Sequence, residues 1–322
     1  MLRDILRGKD TQIDAVARVI ARNAPDVLLL QGLDYDHGLR ALTALRDRIA
    51  AHDLAYPHLF ALRPNTGMFT GLDLDADGRR GGPRDAQSYG FFAGQGGMAI
   101  LSRYPIDRAN VQDFSALLWR DLPGAKLPQT LDGGAFWSEE VQAVQRLSSV
   151  GHWVVPVMVG DKKIHLLAFH AAPPVFDGPE DRNGLRNRDE ILFWKRFLDG
   201  EVGRAPETDF VILGDFNLDP VDGDGRKEAI LTILSDPRLQ DPAPRRAGAV
   251  TQGAGHRGDP RLDTVAWPVP EPGHLRVSYI LPSYDLAIVE SGLDWPAPGT
   301  QAAAIAQQAS RHRLVWADLL LN

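Results

Sequence analysis

The sequence contains no cysteine, which excludes disulfides, thiolate metal sites and thiol nucleophiles and leaves the redox compartment open. No run approaches the ~18–20 apolar residues that span a bilayer, and Met1-Leu2-Arg3-Asp4 does not open a signal peptide. Localisation is unknown from the chain as given. An excess of basic charge is missing too: 35 Lys and Arg stand against 42 Asp and Glu, for a formal net charge of −7. Sequence-independent binding of duplex nucleic acid relies on a broad positive field, so a duplex is not the favoured partner. No G-x-S-x-G elbow is present, and no glycine fingerprint lies between a strand and a helix. Serine hydrolases and Rossmann or P-loop enzymes are thereby disfavoured. Tandem repeats, heptads and low-complexity tails are lacking as well.

What is present is an ordinary globular composition, 44% hydrophobic and 24% charged, enough for a substantial core in a single domain over 1–322. Ile13, Val16, Ala17 and Ile20 recur at helical spacing, and Asp26 to Gln31 reads as a buried strand. Leu39, Leu42, Leu45 and Ile49 define a second amphipathic helix, with Asp36 placed to favour its N-terminus through the dipole. Further strands are expected at 97–101, 164–170, 210–213, 275–281 and 286–291, a helix at 188–198, and a closing segment at 313–318. Three stretches near 61–96, 103–137 and 236–274 are rich in Gly or Pro, lack periodicity and read as long loops. Strands in direct succession, mixed with strands separated by helices, favour mixed sheets with helices outside.

The strongest local signal is Leu213-Gly214-Asp215-Phe216-Asn217. Glycine permits a sharp exit from a buried strand, and Asp215 and Asn217, two apart on an extended chain, project to one face. A carboxylate there orients or deprotonates water, and an amide donates to a phosphoryl oxygen. The same residues also suit an Asx turn that satisfies its own backbone. His170 at a strand end and His312 between two arginines read, unaided, as structural or solvated residues.

Taken with five other stations, that segment changes meaning. They are Ala24-Pro25-Asp26-Val27-Leu28-Leu29-Leu30-Gln31, Gly96 to Pro105, the strand ending at His170, Arg276-Val277-Ser278-Tyr279-Ile280-Leu281-Pro282-Ser283, and Ser310-Arg311-His312-Arg313-Leu314-Val315. In this order the chain resembles the endonuclease/exonuclease/phosphatase family over nearly its whole length. The resemblance implies an α/β fold, a four-layer α/β/β/α sandwich of two mixed, mainly antiparallel sheets, with a Mg²⁺- or Mn²⁺-dependent phosphoester hydrolase site at one end. By matched position, Asp215 would prepare water, His170 and Asn217 would stabilise phosphoryl oxygens, and His312 would contact phosphate or share the acid/base work. Such electrostatic and aligning roles suit phosphoryl transfer.

Four departures qualify the match. The family's metal-binding Glu follows the Gln of the first buried strand, but Gly32 follows Gln31 here. Alternation along a strand makes Asp34, ~6–7 Å further on, the first choice for the missing carboxylate, and Asp36 the second. Arg311 replaces the family's Asp before the His, offering either a phosphate-binding fork or a surface ion pair. Ser278 stands in place of another Asp. Finally, the family opens with a strand whose Asn contacts the metal, and no such segment precedes Arg3. An absent first strand would expose sheet edges, and an upstream export signal would make a periplasmic or secreted origin compatible with this chain.

Asp73, Asp75 and Asp77 have the D-x-D-x-D-G spacing of calcium loops, but Arg84 occupies the place of the closing Glu. Calcium there, and less so at 219–224, competes with ordinary Asp/Gly turns. Phe91, Phe92, Trp119, Trp137 and Trp153 read as core aromatics before substrate walls. The expected activity is hydrolysis of a small phosphomonoester or phosphodiester, with a weakened family member that binds phosphate without turnover as the alternative. Oligomeric state is not readable.

Overall fold

The computed structural model describes residues 1–247, 250, 255–269 and 271–321. In chain order it contains α1 (Leu2–Arg7), α2 (Thr11–Asn23), β1 (Val27–Leu33), α3 (Arg40–Ala50), β2 (His58–Phe60), β3 (Gly97–Ser102), β4 (Gln112–Asp113), α4 (Glu139–Gln142), β5 (His152–Val159) and β6 (Lys162–His170). It continues with α5 (Arg182–Leu198), β7 (Phe210–Asp215), α6 (Glu228–Leu234), β8 (Val265–Ala266), β9 (His274–Leu275), β10 (Ser278–Pro282), β11 (Ala287–Leu293), α7 (Gln301–Ala309) and β12 (Val315–Leu320). Asp10 caps α2 by accepting from the amides of Gln12 and Ile13, and the helix stops at left-handed Ala24 before Pro25.

Alternation along the strands builds the layers. On β6, Leu167 and Phe169 turn toward Phe193, Trp194 and Phe197 of α5. Ile164 and Leu166 turn the other way, onto Phe60, Met98 and Ile100 of the second sheet. That second sheet then buries Leu28 and Leu101 against Ile20, Leu42 and Leu45 of α2 and α3. The result is the four-layer α/β/β/α sandwich. One sheet runs β10-β7-β6-β5-β4, with β6 and β7 parallel and its other pairs antiparallel, and β1-β3-β2 forms a separate antiparallel group. Among the described residues β11 and β12 pair only with each other. No helix among the described residues is long and apolar enough to cross a membrane.

Several sequence expectations shift. The helix expected from residue 188 begins at Arg182, because its first turns carry buried polar residues that periodicity counts as surface. β5, α6 and α7 were not expected. The 236–274 stretch carries the β8–β9 pair, while the earlier two long loops stay irregular apart from short helical turns and β4, with α4 following the second. Trp119, Trp137 and Trp153 are core residues, and each indole N–H is satisfied, by Asp189, the Leu74 carbonyl and Ser115 respectively.

His152 on β5 is fully buried between Phe169, Phe193 and Trp194. Its Nε2 donates to the Glu190 carbonyl at 2.9 Å and its Nδ1 accepts from Ser148 at 2.6 Å. Desolvation pulls its pKa from 6.5 down to about 3. The unfolded state therefore binds the proton first, and stability present above pH 6.5 is lost as the pH falls toward about 3. The expected slope is up to about 1.4 kcal/mol per pH unit in that window. Urea melts at successive pH values check this, with His152→Gln expected to show a shallower slope than wild type.

Candidate active site

β6 and β7 run parallel with His170 opposite Asp215, and the Ala171 amide donates to the Asp215 carbonyl at 2.9 Å. Gly214 makes the pairing possible. Its φ is 147°, and a Cβ there would lie 1.9 Å from the Phe169 carbonyl oxygen. That same oxygen accepts from Gln31 Nε2 at 3.0 Å, which ties β1 of the other sheet to the site end of the sandwich.

Asp215 is the centre. One carboxylate oxygen accepts the Asn217 amide at 2.8 Å, while the other lies 3.4 Å from His312 Nδ1 and 3.8 Å from His170 Nε2. Its side chain is 4% exposed, against 23% for His170 and 37% for His312, so the imidazoles stand between the carboxylate and solvent. Desolvation holds His170 below the usual histidine range; Asp215 pulls it up and His312 pushes it further down. It is therefore a neutral imidazole at neutral pH.

Asn217 takes the left-handed conformation, φ 50°, and one of its amide hydrogens goes to the Ala171 carbonyl at 2.8 Å. His312 is placed by a bridge to Val265, by the Ser310 hydroxyl on its amide, and by a T-shaped contact with the Trp267 ring, centroids 5.6 Å apart. Arg311 is exposed beside it on the same cavity, with no side-chain ion pair among the described residues. Ser278 pairs with Asp215 across β10 and β7.

Two residues that carry the site escaped the sequence reading. Asn187 of α5 donates to both the Ala172 and Phe216 carbonyls at 2.7 Å, clamping the two segments that bear His170 and Asp215. Glu190 accepts from the Ala172 amide at 2.7 Å and from the Ser149 hydroxyl at 3.2 Å. Asn187 and Glu190 share a helix face with Ile191 and Trp194, and polar residues on an apolar face are the signal that identifies them.

Asp34 and Asp36 are not brought to Asp215. Gly32 is a bulged residue with φ 77°, and pairing to β3 skips from Gln31 to Leu33. The bulge breaks the alternation that would put Asp34 on the side of Gly32. Asp34 instead accepts the Gly96 amide at 3.1 Å, and Asp36 accepts the Arg40 and Ala41 amides, both at 2.8 Å, at the start of α3. Both line a small crevice, and neither lines the cavity around Asp215.

The donors around Asp215 are thus one free carboxylate oxygen and two imidazoles, with none from Gly32. A hard divalent cation takes several oxygen ligands, so the described residues do not form a closed metal site there. In the 73–85 loop, Asp73, Asp75 and Asp85 approach one another instead of Asp73, Asp75 and Asp77. Their oxygens serve local turns: Asp73 accepts from Asp77 and Gly78, and Asp85 from Leu74 and Gly82. In the 219–224 loop Asp219 likewise accepts from the amides of Val221, Asp222 and Arg276.

The profile described as the endonuclease/exonuclease/phosphatase family matches residues 5–312, and the chain belongs to that family. Its members are divalent-metal-dependent phosphoester hydrolases. A family structure from Beutenbergia cavernae DSM 12333 is similar at TM-score 0.54 and 16% identity, covering 96% of this chain and 66% of that one. A family protein from Leptotrichia buccalis C-1013-b is similar at TM-score 0.53 and 16% identity, covering 96% of this chain and 93% of that one. These likenesses speak to the fold. A comparison with curated proteins gives no match.

Gly214→Ala is expected to destabilise the protein by about 2–4 kcal/mol, since the added methyl meets backbone that cannot move aside. Chemical denaturation checks this, and an unchanged midpoint would refute the close-approach account.

Proposed function

We propose that this chain hydrolyses a small phosphomonoester or phosphodiester, with Asp215 preparing the attacking water. The observation that carries the reading is the convergence of His170 and His312 on the one free oxygen of Asp215. With its other oxygen held by the Asn217 amide, the carboxylate keeps a fixed direction in which to accept a proton from water. Neutral His170 and the remaining amide hydrogen of Asn217 are placed to donate to phosphoryl oxygens, and His312 to contact the phosphate or exchange a proton. The exposed Arg311 guanidinium supplies the permanent positive charge on the approach to an otherwise acidic protein. Mg²⁺ or Mn²⁺ is the cofactor proposed from family membership, and its holding is assigned to no side chain here.

The open space at Gly32, where no carboxylate stands, favours a second reading: binding of a phosphate-bearing ligand without turnover. A panel of mono- and diester substrates, titrated with Mg²⁺ and Mn²⁺, separates the two. Under the first reading Asp215→Ala and His312→Ala each lower the rate by about 10²–10⁴. Calorimetric binding of phosphate by wild type, with no product from any substrate at any metal concentration, would leave only the second.

A further inference from the structure

Trp295, just beyond β11, gathers two guanidiniums and an imidazole from different parts of the chain. The Arg246 guanidinium carbon lies 4.3 Å from its ring centroid and that of Arg313 4.8 Å, while the His274 ring centroid is 5.3 Å away. All four residues are half-buried, so the cluster is partly desolvated yet open to solvent. Burial lowers the pKa of Arg246, Arg313 and His274, and the two arginines lower His274 further. Stacking on an indole attracts the charge of a guanidinium but gives its N–H donors no acceptor.

Those donors are in surplus. The Arg246 side chain makes no hydrogen bond and no ion pair among the described residues, and its Nε is buried. Arg313 gives Nη1 to the Ala306 and Ser310 carbonyls at 2.6 and 2.9 Å, but its Nε is likewise buried without a partner. The carboxylates that act on these arginines are engaged elsewhere. Asp294 pairs with Arg22, and Asp263 lies 3.6 Å from His256 Nε2. Burial also raises the Asp263 carboxyl far above the usual carboxylate range, which weakens it as a counterion. Two permanent charges with buried donors and no carboxylate at ion-pair distance suit an anion from solvent.

We propose that Arg246, Arg313 and His274 form a second oxyanion site, taking a free phosphate-sized ion beside Trp295. A tetrahedral oxyanion accepts from both guanidiniums and supplies the negative charge that no side chain brings. The site is built on the segments that hold His312. The Arg313 amide donates to the Thr264 carbonyl at 2.8 Å, the Ala266 amide donates to the Arg311 carbonyl at 2.9 Å, and Ala266 pairs with His274. An ion bridging Arg313 and His274 therefore ties residues 311–313 to the β8–β9 pair and steadies the backbone of His312. Its binding does not depend on hydrolysis at Asp215.

Nitrogen-15 NMR of the full chain tests this through the Trp295 indole N–H, assigned with Trp295→Phe. Inorganic phosphate is titrated against sodium chloride at matched ionic strength, so that general screening is held constant. Phosphate is expected to shift the Trp295 resonance saturably and to slow exchange of the Ala266 and Arg313 amides, and chloride to do neither. Arg246→Gln, which removes a side chain with no hydrogen bond to lose, is expected to weaken phosphate binding at least about tenfold, and Arg246→Lys, which keeps the charge, by less. His170→Ala alters only the candidate active site and should leave the Trp295 response in place. An equal shift in chloride, or equal phosphate affinity in wild type and Arg246→Gln, would overturn the proposal. So would loss of the response in His170→Ala with its retention in Arg246→Gln, which would put the phosphate at Asp215. Failure to hydrolyse any ester, with these responses intact, counts against the function proposed for Asp215 and leaves this site standing.

Discussion

The parallel pairing of β6 with β7 is the constraint on which the candidate site depends. It sets His170 opposite Asp215, and it closes only because Gly214 lets the Phe169 carbonyl lie where a Cβ would be. Gln31 then reaches across from the other sheet to that same carbonyl, so one oxygen registers both halves of the sandwich at the site end. The Asp215 side chain inherits its position from this backbone arrangement and its direction from the Asn217 amide. Little rotamer freedom remains to be lost when a substrate arrives, which is the physical content of preorganisation.

Behind the site, α5 buries an unusual amount of polarity. Asn187 and Glu190 hold the strand-end segments, while Arg186 donates to the Leu147, Arg146 and Ser148 carbonyls and fixes the loop that leads into β5. Burial raises Glu190 to about 7 against the opposing pull of Arg186 and the Ala172 and Ser149 amides, and lowers Arg186 to about 10. Groups of this kind are costly to bury unless their hydrogen bonds are met. Here the bonds of Asn187 and Glu190 reach backbone next to His170 and Asp215 and those of Arg186 reach the loop before β5, so the cost is offset by ordering irregular chain.

The electrostatics of the site follow from what surrounds Asp215. Two imidazoles stand beside the Asp215 carboxylate and Arg311 lines the same cavity, an arrangement that gives a hard cation few oxygens at Asp215. The aspartates that composition offers as substitutes are consumed elsewhere. Asp36 caps a helix, Asp34 anchors the turn before β3, and Asp219 closes its own loop. Asp34 and Asp36, though near Gly32 in sequence, line a different crevice from Asp215.

Sequence alone pointed to the family and, through that resemblance, to the layered sandwich, and it singled out Asp215, Asn217, His170 and His312, which the fold brings together at the strand ends, because short motifs at strand ends are local properties. It also marked Gly32 as a place without a ligand. Asn187 and Glu190 were missed, since a polar residue on a helix reads as surface unless its apolar neighbours on the same face, here Ile191 and Trp194, are weighed with it. The rejection of Asp34 rested on a bulge that shifts strand phase, visible only in the pairing of β1 with β3. Likewise β1 and β12 lie far apart along the chain, and only the tertiary structure brings both to one cavity. Such features depend on which backbone groups find partners, and that is decided by three-dimensional packing and not by local pattern.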